Sequence, residues 1–114
     1  MTTVTDTMSA RTVRSYYRSI DEKRYDELGE LLAPEFVHER PDRTFEGRET
    51  FVAFMRDDRP RTETGHELDR LYDDGDEIAV RGRLLDEDGE RLFGFIDVHT
   101  IDDGVISRIE TYTD

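Results

Sequence analysis

Gly94-Phe95-Ile96-Asp97-Val98-His99-Thr100-Ile101-Asp102-Asp103-Gly104-Val105-Ile106 is the stretch on which the fold of this chain turns. Side chains alternate through it with a period of two, as in a half-buried β-strand. Asp102-Asp103-Gly104 then interrupts, placing glycine where a tight hairpin needs a positive φ angle, and a second alternating run follows. Outward from this hairpin the same rhythm marks four runs: His66 to Tyr72, Glu77 to Leu85, Arg91 to Ile101 and Val105 to Thr113. Asp73-Asp74-Gly75-Asp76 and Asp86-Glu87-Asp88-Gly89 form the other breaks, each with its own glycine. Strands joined in this way predict an antiparallel meander. In the last run Ile106, Arg108, Glu110 and Tyr112 alternate with Val105, Ser107, Ile109 and Thr111. Strict alternation gives that strand two usable faces.

Before His66 the period is helical. Val4, Met8, Val13, Tyr16, Tyr17 and Ile20 make one stripe, with Arg11, Arg14 and Arg18 mostly away from it. Tyr25, Leu28, Leu31 and Leu32 share a face of a second, short helix. Pro34 is expected to stop it, because proline disfavours helix in the residue before it. The link Asp21-Glu22-Lys23-Arg24 is short, so the two helices should be antiparallel or sharply angled neighbours. Phe36-Val37-His38-Glu39 reads as a brief strand ended by Pro41. After Gly47, the residues Phe51, Val52, Phe54 and Met55 predict a third helix that fades into the polar run Arg56 to Thr64. Helices covering one face of a curved antiparallel sheet indicate an α+β fold. The 114 residues have room for one domain, 1–114, and show no linker, repeat or low-complexity segment.

Charge narrows the setting. Twenty-nine acidic residues stand against 15 arginines and one lysine, Lys23, for a formal charge of −13. Self-repulsion of that size destabilises a compact state at low ionic strength. Molar salt shortens the screening length to about 3 Å and removes most of the penalty. Hydrated carboxylates with almost no lysine therefore point to a cytoplasmic protein of a halophile, the alternative being an acidic surface that docks a basic partner. Hydrophobic residues make up only 34 %, but their regular spacing argues for a folded chain rather than disorder. Cysteine is absent, which excludes disulfides, thiolate metal sites and a cysteine nucleophile. MTTVTDTMSA has neither the basic start nor the apolar run of a signal peptide. Nothing approaches the ~20 apolar residues of a membrane span. Phosphate repulsion disfavours nucleic acid as a partner.

The order of elements resembles the nuclear transport factor 2-like superfamily and, within it, the SnoaL-like group. The likeness covers about Thr12 to Tyr112 and is most specific in the hairpin quoted above. Two further matches are Tyr25-Asp26-Glu27-Leu28 leading to Leu31-Leu32-Ala33-Pro34-Glu35-Phe36, and Phe45-Glu46-Gly47-Arg48-Glu49 opening the third helix. The resemblance implies a cone-shaped, cystatin-like α+β barrel whose sheet wraps a pocket closed by three helices. Its members include polyketide cyclases, ketosteroid isomerases, epoxide hydrolases, dehydratases and modules with no chemistry. Function must therefore be argued from the groups in the pocket.

Asp97 is the first of these. It lies on one strand face with Phe93, Phe95, His99 and Ile101. On a concave face it would project into an apolar cavity, where desolvation raises a carboxyl pKa. A protonated carboxyl can donate a hydrogen bond to a developing enolate, as in ketosteroid isomerase. The resemblance implies that role, or that of acid/base, for Asp97. The competing reading is an aspartate paired with an arginine or facing solvent. Tyr16 matches the isomerases' phenolic donor, yet Tyr16 and Tyr17 point about 100° apart on a helix, so only one is expected to reach the interior. Where the isomerases carry an aspartate base before proline, this chain has Arg40 before Pro41. Arginine accepts no proton. Arg40 would instead hold an anionic or carbonyl group at the pocket mouth, or pair with Asp42.

His38, His66 and His99 fall on three different expected strands. His99, two residues from Asp97, or His38 is the candidate base. Convergence of all three would suit zinc, but nothing in the spacing demands it. Phe51, Phe54 and Phe95, with Arg40, would contact substrate in an open pocket. If Phe36, Phe51, Phe54 and Phe95 instead fill it, they pack a core. Asp86-Glu87-Asp88-Gly89 has the wrong spacing for a calcium loop. No phosphate-binding glycine loop follows a strand, and no serine sits in a nucleophile elbow.

Two functions follow as expectations. The first is a pocket for a mainly apolar carbonyl compound, with proton transfer next to the carbonyl and no need of a cofactor. The second is a module without chemistry. In either, a two-fold dimer through the convex sheet is expected. The charge reading predicts that unfolding by urea needs progressively more denaturant as sodium chloride rises into the molar range. Stability that stayed flat or fell would rule it out.

Overall fold

The structure, a computed structural model, describes residues 7–114; Val4, expected at the head of the first helical stripe, lies outside them. Helix α1 spans Met8–Asp21. Thr7 caps it in extended conformation, its hydroxyl accepting the Ala10 N–H at 3.0 Å. That satisfies one of the orphan donors of the first turn. After Asp21 the chain reverses through Lys23, whose φ of 59° is left-handed. Helix α2, Tyr25–Glu30, is shorter than expected. Leu32 already belongs to strand β1, Leu32–Glu39, and Pro34 lies inside that strand rather than ending a helix. The site tolerates proline because β1 changes register against its neighbour between Leu32 and Val37. Strand β2 reaches only Val37 to Glu39 on the other side. No ladder bond is lost where the missing N–H falls.

Strand β2, Thr44–Glu46, departs from the expectation that these residues lead straight into the third helix. Gly47, at φ 96°, turns the chain into α3, Arg48–Ala53, which continues as one π-helical turn over Phe54–Asp58. Arg59 closes that wider turn through its own N–H to the Phe54 carbonyl, 2.9 Å. Its guanidinium then donates to the Met55 carbonyl and to the Tyr25 hydroxyl, both at 3.0 Å. Strands β3 (Gly65–Asp73), β4 (Glu77–Leu85), β5 (Arg91–Asp102) and β6 (Val105–Thr113) follow. Gly75, Gly89 and Gly104 sit in their turns at φ near 80°, the values expected of them.

The six strands form one sheet in the order β2-β1-β6-β5-β4-β3. It is mixed, not wholly antiparallel, because β1 runs parallel to β6. Register shifts interrupt four of the five pairings, and each bends the sheet locally. The shift in the β5–β6 hairpin matters most. Ile101 pairs with Ile106, but Thr100 pairs with Arg108, leaving Ser107 as the extra residue. Ile106 and Ile109 are therefore both fully buried, on the face that strict alternation would have divided.

The core lies between the inner face of this sheet and the helices. Val13, Tyr16, Tyr17 and Ile20 from α1 meet Phe36, Phe51, Ile78, Val80, Phe95, Ile106 and Ile109. Phe36 and Phe51 have no exposed surface. Each contributes about 1.5–3 kcal/mol by burial. Gly82 pairs with Phe95, and a Cβ there would stand 2.8 Å from the Phe95 ring and 2.7 Å from the Glu67 carbonyl. Only glycine lets that ring lie down on β4, which leaves room above it.

Candidate active site

The room above Phe95 is a cavity of about 650 Å³ between sheet and helices. That is within the range of small-molecule pockets. Its walls are mainly apolar, with Phe51, Phe54, Met55, Leu84, Phe93 and Phe95 among them. Arg40, Asp42, Arg59 and Arg61 also line it. The aromatic side chains surround an open space rather than filling it. Phe36 is the exception, fully buried and not part of the wall.

Asp97 projects from the middle of β5 into this space and is only 6 % exposed. Its two carboxyl oxygens each accept a hydroxyl. Tyr17 donates to Oδ2 at 2.6 Å and Thr111 to Oδ1 at 2.5 Å. Thr111 lies directly across the β5–β6 ladder, where the extra Ser107 has brought it. Burial raises the Asp97 pKa, partly offset by the hydrogen bonds from Thr111 and Tyr17 and by the charge of Arg40. Both phenols of α1 are held well above the ordinary tyrosine value, by burial first and by the Asp97 charge second. They remain donors.

Each hydroxyl has one proton to give. With those protons committed to Asp97, the outer partners must donate inward. His99 Nε2 lies 2.8 Å from the Tyr17 oxygen and His38 Nε2 lies 2.8 Å from Thr111 Oγ1. Both imidazoles are thus Nε2–H tautomers. Their Nδ1 atoms are buried without partners, as suits a lone pair better than an N–H. Burial pulls both histidine pKa values down to about 3. The chain His38–Thr111–Asp97–Tyr17–His99 crosses β1, β6, β5 and α1, every bond directed at one carboxyl group.

This arrangement corrects the sequence reading in three places. Both Tyr16 and Tyr17 reach the interior, where only one was expected to, and it is Tyr17 that bonds Asp97. Tyr16 lines the cavity instead, stacked on Phe51, and its hydroxyl has no hydrogen-bond partner among the described residues. His99 does not line the cavity, being fully buried behind Tyr17. Neither His99 nor His38 has a nitrogen free to take a proton from a ligand, since Nε2 is bonded and Nδ1 is enclosed. Arg40 lines the cavity and is paired with Asp42 at 3.3 Å. Phe51, Phe54 and Phe95 are on the wall. Among the described residues no three His, Asp or Glu side chains converge to hold a metal ion.

His66 is not one of the two candidate bases that the sequence suggests. It lines the cavity from β3, and Asp21, the last residue of α1, clamps it twice. Its Nδ1–H donates to Oδ1 at 2.6 Å and its backbone N–H to Oδ2 at 3.0 Å. Thr111 also escapes sequence reasoning. Counting back from the Asp102-Asp103-Gly104 turn places Glu110 opposite Asp97, and only the bulge corrects the count. For Asp21, the helical spacing Tyr17 to Asp21 is a visible signal, since residues four apart share a face.

The model of the SnoaL-like domain family matches residues 13–109. Solved structures with the same fold include a Kribbella flavida protein provisionally assigned as a ketosteroid isomerase, 24 % identical, TM-score 0.83, covering 94 % of this chain and 78 % of that one. A Sinorhizobium meliloti protein provisionally assigned as a polyketide cyclase is 23 % identical, TM-score 0.78, covering 90 % and 94 %. An LEH-like epoxide hydrolase of M. tuberculosis is 21 % identical, TM-score 0.78, covering 94 % and 83 %. None of the curated proteins matches the chain.

The hydrogen-bond directions predict a measurable state of the histidines. Nitrogen NMR should find His38 and His99 neutral and protonated at Nε2 from pH 7 down to about pH 4. A folded pKa near 3, against 6.5 in the unfolded chain, means the unfolded state binds the extra proton between those values. The stability these groups allow is complete above pH 6.5 and is lost as pH falls toward 3. His99→Gln should accordingly flatten the loss of stability between pH 6.5 and 5, relative to wild type. The chain, with its match over residues 13–109, belongs to the SnoaL-like domain family.

Proposed function

We propose that this SnoaL-like protein binds a mainly apolar carbonyl compound and acts, without a cofactor, by proton transfer next to that carbonyl. Isomerisation, aldol-type cyclisation and dehydration all share this step. The observation that carries the proposal is Asp97, a buried carboxyl at the wall of an apolar cavity with both oxygens already bonded to hydroxyls. When Asp97 is protonated, those two bonds fix the plane of the carboxyl and leave its own hydrogen free for the substrate oxygen. Negative charge developing there in the transition state is met by a donor already in place. Tyr16, a phenol on the cavity wall, supplies an orienting donor. Arg40 receives a polar substituent at the mouth, while Phe51, Phe54 and Phe95 contact the apolar body.

We read the sheet as a cone whose open end is this mouth, leaving its convex side for pairing. Ile96 faces Tyr112 across one ladder and Ala79 faces Val98 across another, which groups four apolar side chains on the side opposite Asp97. Tyr112 is 56 % exposed. A second copy of the chain would cover them. The acidic surface fits the concentrated salt of a halophile's cytoplasm.

Asp97→Asn keeps the shape of the side chain but removes the acid. On any ketone that the wild-type protein enolises, the substitution should lower kcat/KM by about 10²–10³-fold. The carboxyl of the free protein should titrate above the ordinary value of about 4. Unchanged turnover in the variant would sink the proposal. For the pairing surface, light scattering should give twice the mass of one chain, and Val98→Glu should halve it. A wild-type monomer would refute the dimer.

A further inference from the structure

A proton donor on one wall of the cavity needs a group that accepts a proton on another. The described residues offer three histidines, and two of them are already spoken for within the Asp97 network. His66 differs from both in its hydrogen bonds, although His38 lines the cavity as well. His66 sits on β3, two strands away from β5, and it lines the cavity. Asp21 takes up its Nδ1–H and its backbone N–H together. That double clamp fixes the ring orientation and, in the neutral ring, leaves the lone pair on Nε2. No partner among the described residues occupies Nε2. The side chain is 15 % exposed, and that of Asp21 is 26 % exposed. Tyr17 and Phe95 flank the ring, with centroids at 5.1 and 5.8 Å.

We propose that His66 is the catalytic base of this site, accepting a proton at Nε2 from the carbon next to the substrate carbonyl, with Asp21 as its positioning residue. The inference rests on the reading of Asp97 as the donor to that carbonyl. In the step, the substrate C–H bond breaks and its proton forms an N–H bond at Nε2. The electron pair moves into a new carbon–carbon double bond, and the carbonyl π pair moves onto oxygen, which Asp97 meets with its hydrogen. The imidazolium lies against the Asp21 carboxylate. In a substrate with a carbon–carbon double bond adjoining that carbon, return of the proton to the far end of the resulting dienolate completes an isomerisation with no further reactant. The arrangement has a general form, nucleophile or base backed by an orienting carboxylate through its other nitrogen. Helix α1 organises both halves of it. Tyr17 holds the acid and Asp21, one turn later, holds the base.

An apolar bromoketone tests the assignment whatever the natural substrate is. 2-Bromoacetophenone presents a carbonyl for Asp97 and a displaceable bromide on the neighbouring carbon. Attack by the Nε2 lone pair forms a C–N bond, and bromide leaves with the C–Br electron pair. Peptide mapping should find His66 alkylated alone among the three histidines, at a rate that saturates with reagent. Asp21→Asn should slow the labelling about 10-fold or more, and Asp21→Glu should restore part of it. Labelling of His38, His99 or Met55 in preference to His66, or of none of them, would overturn the assignment of the base. An undiminished rate in Asp21→Asn would overturn the positioning role. The Asp97→Asn variant separates the two proposals. Slower labelling of His66 there supports both. An unchanged rate preserves the His66–Asp21 pair and removes Asp97 as the carbonyl donor.

Discussion

A carboxyl group buried under aromatic rings has to be satisfied where it stands, and in this protein two hydroxyls do it. Tyr17 reaches Asp97 from the helix and Thr111 reaches it from the neighbouring strand. Removing either would leave a buried oxygen unpaired, at a cost of about 1–3 kcal/mol and more if the group is charged. The pair of bonds therefore fixes the rotation of α1 about its axis relative to β5 and β6. Once α1 is set, Asp21 lies one turn beyond Tyr17 and meets His66 on β3. The apolar packing of Val13 and Ile20 holds the helix on the sheet, but such packing tolerates sliding. The polar bonds do not.

Much of this fold was legible in the residue order. Strands β4 and β6 begin and end at the predicted residues, because glycine at positive φ leaves little freedom about where a two-residue period stops. The apolar neighbours of Asp97 at even spacing pointed to an inner face, while leaving an arginine pair or a solvent-facing side chain open. What was not legible has physical reasons. Thr44–Glu46 is too short to show any period and exists only because β1 offers it an edge. Pro34 signals a helix end locally, yet a register shift in the sheet made an extended proline harmless. The choice of Tyr17 over Tyr16 depends on the roll of a helix by about 100°, which a stripe containing both cannot decide.

The single extra residue at Ser107 shows how a small irregularity decides chemistry. Without it the residue across from Asp97 would be Glu110, and two carboxylates would share a low-dielectric wall. Like charges there would force one to stay protonated or push the strands apart. With it, Glu110 turns outward and Thr111 turns in, supplying a hydroxyl donor in place of a second acid. The bulge also brings Ile109 opposite His99, where it helps seal the imidazole from solvent.

Three copies of the same side chain end up with different chemical possibilities, and the difference lies in what each second nitrogen meets. His38 and His99 spend Nε2 on a hydroxyl and bury Nδ1 among apolar atoms, which makes the protonated form expensive and pulls their pKa values down to about 3. They are structural donors that stiffen Thr111 and Tyr17 and, through them, Asp97. His66 spends Nδ1 on a carboxylate instead, so that a positive ring has a counter-charge in contact with it. Burial without a partner and burial beside a carboxylate thus divide the histidines into supports and a candidate base. Neither class can be read from the spacing of the histidines along the chain, since Asp21 and His66 are 45 residues apart and meet only because α1 packs against β3.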